Sequence, residues 1–144
     1  MRDLANLKIL VVENNKHMRN VVVELLRALG TNQILEAEDP LGGFSLIATE
    51  DIDLVLLDFF LGEHDGYDIV ELLRGEKPCP NHNVPIIIMT AAPTHSRVLE
   101  AKTIGADAIL GKPFAPQELF EMIDQVLSKR EDASEAQLKQ KAAN

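Results

Sequence analysis

The stretch "IDLVLLDFFLGEHDG", residues 52–66, decides how the rest of the chain is read. Leu54 to Leu57 is an unbroken apolar run, the pattern of a strand covered on both faces. The run stops on a carboxylate, Asp58, at the point where such a strand leaves the core. Phe59, Phe60 and an Asp65-Gly66 turn follow it. A lone strand-end aspartate is ordinarily a solvated loop residue. Its meaning depends on what else reaches the same edge.

Working outward, short buried-type runs alternate with amphipathic stretches. "KILVV" (8–12) reads as the first strand, and residues 16–29 repeat Met18, Val21, Val22, Leu25 and Leu29 at helical spacing before Gly30. "QILEA" (33–37) reads as a strand, followed by an Asp39 N-cap with Pro40 in the first helical position. That helix reaches about Thr49, with Leu41, Phe44 and Ile47 expected inward. Asp65-Gly66 opens a helix over 67–74, and "VPIIIMTA" carries the fourth strand. A helix over 95–104 ends at Gly105, "DAILG" makes the fifth strand, and Pro116 starts the last helix. Leu119, Phe120, Ile123, Val126 and Leu127 fall on one face of it. The sum is (βα)₅, a parallel sheet with helices on both faces, because each parallel crossover must carry the chain over the sheet.

The totals agree with one α/β domain. The chain has 144 residues, 46% hydrophobic and 26% charged, and no stretch near the ~20 apolar residues of a membrane span. The start lacks a secretory cleavage pattern, and a single cysteine, Cys79, fits a reducing cytoplasm. A formal charge of −9 disfavours nucleic acid, whose binding relies on Lys and Arg neutralising phosphates. His17, His64, His82 and His95 are scattered, and Cys79 with His82 is too little for a zinc site, so these read as loop residues.

In an open parallel sheet, ligands gather at the carboxyl ends of the strands. Those ends carry Glu13-Asn14, Asp58, Thr90 and Lys112-Pro113. Oxygen ligands around acids suit a hard cation such as Mg²⁺, and a lysine or a hydroxyl can hold a phosphoryl oxygen. An aspartate in that company can itself accept a phosphoryl group.

In order and spacing, "LKILVVEN", "LVLLD", "DG", "IIIMTA" and "GADAILGKPF" resemble the receiver domain of bacterial two-component response regulators, of the chemotaxis type. The likeness spans about residues 7–128. It implies a flavodoxin-like fold with strand order 2-1-3-4-5 and phosphorylation on Asp58. It implies Mg²⁺ held by Glu13, Asp58 and the backbone carbonyl of Phe60, with Asn14 acting through water. Lys112 then pairs with the acyl phosphate, the Lys112-Pro113 bond is cis, and Thr90 is drawn toward the phosphoryl group. The implied partners are a histidine kinase or histidine phosphotransfer protein, and a downstream protein on the face of the fourth helix, fifth strand and fifth helix. Homodimerisation on that face is a family habit.

Three positions depart from the pattern. Asn14 stands where a second acid is usual; one charge lost ~4 Å from a divalent ion costs about 2 to 8 kcal/mol of Coulomb energy before desolvation is credited. Ile109 replaces a switching aromatic, and Gly62 replaces a frequent proline.

Residues 1–128 are therefore expected to form a cytoplasmic, stand-alone receiver that signals by altered protein binding and is not an enzyme beyond its own phosphoryl chemistry. Residues 129–144 are a charged extension of the last helix or a frayed tail. The alternative is a pseudo-receiver that docks constitutively, with Asn14 as its mark. A phosphatase would place a second Asp where Phe60 stands, and a nucleotide-binding protein needs a glycine-rich loop after the first strand.

Overall fold

The computed structural model describes residues 2–62, 64–75 and 81–143, so Cys79 lies outside the described residues. Five parallel strands form one sheet: β1 (Lys8–Val12), β2 (Gln33–Ala37), β3 (Leu54–Asp58), β6 (Ile86–Thr90) and β7 (Ala108–Gly111). Between β3 and β6, the two-residue strands β4 (Phe60–Leu61) and β5 (His64–Asp65) make a small antiparallel ladder that the sequence reading did not contain. The sheet order is β2-β1-β3-β6-β7. For the five sheet strands this is the expected 2-1-3-4-5; the detail that differs is the ladder counted between the third and the fourth. The helices are α1 (Lys16–Ala28), α2 (Pro40–Thr49), α3 (Gly66–Arg74), α4 (His95–Ile104) and α5 (Pro116–Ala143).

Side chains alternate along the strands and build two cores. Leu10, Val12, Val55, Leu57, Ile86 and Ile88 pack under α2, α3 and α4, against Ile47, Ile69, Val70, Leu73 and Ala101. Ile9, Val11, Leu54, Leu56, Ile87 and Met89 pack under α1 and α5, against Val22, Val23, Leu26, Leu119 and Ile123. All five residues of β3 and all five of β6 are buried, which explains why neither run alternates in the sequence. At about 1.5 to 3 kcal/mol per buried Val, Leu or Ile, these two central strands carry much of the stabilisation.

Helix starts match their capping residues. Asp39 accepts from the Gly42 N–H at 2.6 Å, Asp65 from Asp68 at 3.2 Å and Thr94 from Arg97 at 3.3 Å. Gly105 ends α4 in the left-handed region. Two inward assignments need correction. Leu41 is 80% exposed, because the first turn of α2 overhangs the carboxyl edge of the sheet, where no strand remains beneath it. On α1 the buried residues are Val22, Val23 and Leu26, whereas Val21 lies 40% exposed. The helix is rotated so that the pair Val22-Val23 meets the sheet. Helix α5 continues unbroken to Ala143, and every described residue beyond Arg130 is exposed.

Candidate functional site at the carboxyl edge of the sheet

Parallel pairing sets the site's register. Val12 lies beside Leu57 and Asp58 beside Met89, so the chain leaves β1, β3 and β6 at nearly one level. Glu13 follows β1, with its backbone N–H still bonded to the Ala37 carbonyl, and Asp58 closes β3. Lys112 follows β7, its backbone N–H donating to the Thr90 carbonyl at 2.7 Å, and the Lys112-Pro113 peptide is cis as expected.

Three of the predicted side chains meet directly. Lys112 Nζ donates to Asp58 Oδ1 at 2.6 Å and to Glu13 Oε2 at 3.2 Å. Both carboxylates are buried, Asp58 at 5% and Glu13 at 2% exposure, where an unpaired acid would be costly. Glu13 Oε1 accepts from the Asn15 N–H at 3.2 Å. Burial, and then the Asp58 charge, push the Glu13 carboxyl above the usual glutamate range; Lys112 and the Asn15 N–H act against this without cancelling it. Burial works to lower Lys112, yet its hydrogen bond to Asp58 and the two acidic charges outweigh that, and its ammonium titrates above an ordinary lysine. The site is thus a shared-cation arrangement in which two acids compete for one ammonium.

Local sequence shapes the wall behind Asp58. The Gly66 N–H donates to the Phe59 carbonyl at 2.7 Å, and a Cβ on Gly66 would lie 2.8 Å from the Asp58 carbonyl oxygen. Only glycine permits so close a return of the chain. Gly62 has φ +73, a conformation closed to proline, so this departure belongs to the tight turn between β4 and β5. Phe59 is buried edge-on to Tyr67, with ring centroids 4.9 Å apart, and Phe60 lies 54% exposed.

The remaining predicted residues are placed differently. Asn14 is exposed, and it is Asn15 that caps α1, accepting from the Met18 N–H at 3.0 Å. Thr90 is buried at the end of β6, but its hydroxyl accepts from the Ala92 N–H at 3.2 Å and from Arg97 Nη1 at 3.4 Å. Among the described residues, the Thr90 hydroxyl makes no hydrogen bond to Asp58, Glu13 or Lys112; it is the Thr90 backbone carbonyl that Lys112 reaches.

Two arginines at the site went unnoticed in the sequence. Arg19 Nη1 donates to the Glu13 carbonyl at 2.8 Å and its Nε to Glu36 at 3.2 Å. Arg97 lies over Phe59, 4.6 Å from the ring centroid, and near Phe60 at 5.6 Å. The available signals were weak: a basic residue in the first turn of α1, and one on α4 seven residues after Thr90.

Among the described residues, no group of three His, Cys, Asp or Glu is placed to hold a metal. The chemistry of the donor set fits a hard cation: two oxygen-donor carboxylates, one of them raised by burial and then by the other's charge, beside which water and backbone oxygens would complete a shell. It does not fit zinc, which wants a closed set of nitrogen or sulfur ligands.

Residues 9–124 match the response regulator receiver domain. The chain is 30% identical over 124 residues to chemotaxis protein CheY-3 of Vibrio cholerae, covering 86% of this chain and 94% of that one. It is 35% identical over 121 residues to the transcriptional regulatory protein CusR of Escherichia coli, covering 84% of this chain and 51% of that one. A CheY-like receiver domain structure from Methanospirillum hungatei superposes with a TM-score of 0.76 at 24% identity, covering 89% and 99% of the two chains. The Vibrio cholerae chemotaxis protein CheY4 gives 0.75 at 23%, covering 83% and 98%.

Proposed function

We propose, from the premise that this chain belongs to the response regulator receiver domain family, that it accepts a phosphoryl group on Asp58 and signals by altered protein binding. The observation that carries the reading is the buried Asp58–Lys112–Glu13 cluster, closed by contacts of 2.6 and 3.2 Å across three strand ends.

In this reading the donor is a phosphohistidine of a kinase or phosphotransfer protein. An Asp58 carboxylate oxygen attacks phosphorus, the new O–P bond forms as the N–P bond breaks, and the departing imidazole keeps the electron pair. Lys112 already touches Asp58 and stands ready to follow the added charge as a point cation. Glu13 and Asp58 would hold Mg²⁺, with the Phe60 carbonyl and an Asn14-bound water as further donors. That ion, when bound, offsets charge on the transferred oxygens. Thr90 contributes its hydroxyl proton, since both of its lone pairs already accept. The changed surface is proposed to be the α4-β7-α5 face, meeting either a downstream protein or a second copy. Among the described residues no helix is long and apolar enough to cross a membrane, and we assign the protein to the cytoplasm, where the ATP that charges such kinases is found.

Incubation with Mg²⁺ and acetyl phosphate, read by intact mass, tests the reading. The expected outcome is gain of one phosphoryl group that Asp58→Asn and Mg²⁺ removal both abolish. An unmodified protein, under conditions that label a control receiver, would favour the constitutive docking module instead.

A further inference from the structure

We propose that Arg97 is a positioning residue that orients the Thr90 hydroxyl and ties it mechanically to helix α4. The inference rests on the reading of Asp58 as phosphoacceptor. Five contacts support it. Arg97 Nη1 reaches both Thr90 Oγ1 at 3.4 Å and the Ala92 carbonyl at 3.3 Å, spanning the start of the loop between β6 and α4. Its guanidinium rests on Phe59, the residue next to Asp58, at 4.6 Å. Its backbone carbonyl accepts from the Tyr67 hydroxyl at 2.8 Å. Its backbone N–H is capped by Thr94 at 3.3 Å, so Arg97 is part of the first turn of α4 itself.

The chemistry follows from the hydroxyl's inventory. A threonine oxygen has two lone pairs and one proton. With Ala92 N–H on one lone pair and the Arg97 cation on the other, the proton is left as the free function, and the cation strengthens it as a donor. When Thr90 turns toward a phosphoryl group on Asp58, Arg97 is displaced with it, and the aromatic shelf under the guanidinium is disturbed. Because Arg97 is a residue of α4, the displacement is delivered directly to that helix. Ile109, on the neighbouring strand, has no polar side-chain atom to carry such a link.

The molecule contains its own reporter. Tyr67 is the only tyrosine and there is no tryptophan, so fluorescence excited near the tyrosine band comes from the ring that touches Phe59 and donates to Arg97. Wild type, Arg97→Lys and Arg97→Ala are to be incubated with Mg²⁺ and acetyl phosphate, measuring mass and Tyr67 emission on the same samples. The expected result is phosphoryl uptake in all three, a Tyr67 change in wild type, at least a twofold smaller change in Arg97→Ala, and partial recovery in Arg97→Lys. Amide NMR shifts on α4 are expected to follow the same order, which also guards against an effect confined to the tyrosine. Equal Tyr67 and α4 responses in wild type and Arg97→Ala, with both labelled, overturn this inference alone. Absence of label in wild type overturns it together with the phosphoacceptor reading.

Discussion

Glu13 carries a charge that the fold disfavours. Its carboxyl is raised by burial and by Asp58, so the ionised form disfavours the folded state relative to the unfolded one. Metal-free protein therefore gains stability as the pH falls through the folded Glu13 pKa and loses it as the pH rises through that value. Glu13→Gln keeps the hydrogen-bonding shape and removes the titration. It is expected to raise the metal-free unfolding midpoint at neutral pH by a few degrees, with a gap from wild type that closes on acidification. Mg²⁺ should stabilise wild type and reverse that order, since a cation favours the ionised acid; equal Mg²⁺ stabilisation of both proteins, measured by thermal melts, would sink the assignment of Glu13 as a ligand. Asn14 sharpens this point. Asn14 is neutral and exposed, so in the proposed Mg²⁺ site the affinity would have to come chiefly from Glu13 and Asp58.

At the scale of elements, the described residues 82–84 ahead of β6 are tied to α3 by a half-buried side chain. Arg74, the last residue of α3, donates to the carbonyls of Val84 at 2.6 Å, His82 at 2.7 Å and Gly105 at 3.1 Å. Asp107 balances its charge at 3.4 Å and is gripped in turn by Arg130 of α5 at 2.6 Å. Burial lowers the Arg74 pKa, with Asp107 opposing, yet an arginine stays charged throughout the accessible range. Arg74→Met would keep the stem and leave three carbonyls without their donor. A loss of about 2–4 kcal/mol in denaturant unfolding is expected, with Asp58 labelling retained, because the strand ends that form the site lie at the opposite edge of the sheet. This Arg74–Asp107–Arg130 network was not legible in the sequence. Its members lie on α3, in the turn before β7 and on α5, more than twenty residues apart in sequence, and no local period marks them.

For the whole molecule, the question is how much of α5 belongs to the domain. Arg2 bonds Asp124 at 2.9 Å and Glu131 at 2.7 Å, and Arg130 reaches Asp107 and the Asn83 carbonyl. Past Glu131, no described side chain is bonded to the rest of the domain, and Leu138 stands 67% exposed. Deletion of residues 133–144 is accordingly expected to change the unfolding free energy by less than about 1 kcal/mol and to leave phosphoryl uptake unaltered. A larger loss in calorimetry would show that the extension belongs to the folded domain.

Local pattern determined most of the architecture. The strand runs read at 8–12, 53–58 and 84–91, the caps Asp39 and Asp65, and the stop at Gly105 are properties of neighbouring residues, and the elements formed there, with the third strand trimmed to Leu54–Asp58 and the fourth to Ile86–Thr90. The strand-end carboxylates, the hydroxyl and the lysine were also visible, because a parallel sheet gathers the ends of its strands at one edge. Tertiary structure decided what side chains do once gathered. It exposed Leu41, turned Val22-Val23 rather than Val21 to the sheet, gave the α1 cap to Asn15, and seated Arg97 on Phe59 beside Thr90. Periodicity says that a face is buried but not how far the helix is rotated or how far it overhangs the sheet. Contacts between an arginine and groups from three separate segments have no sequence period at all, so only the packed chain could reveal them.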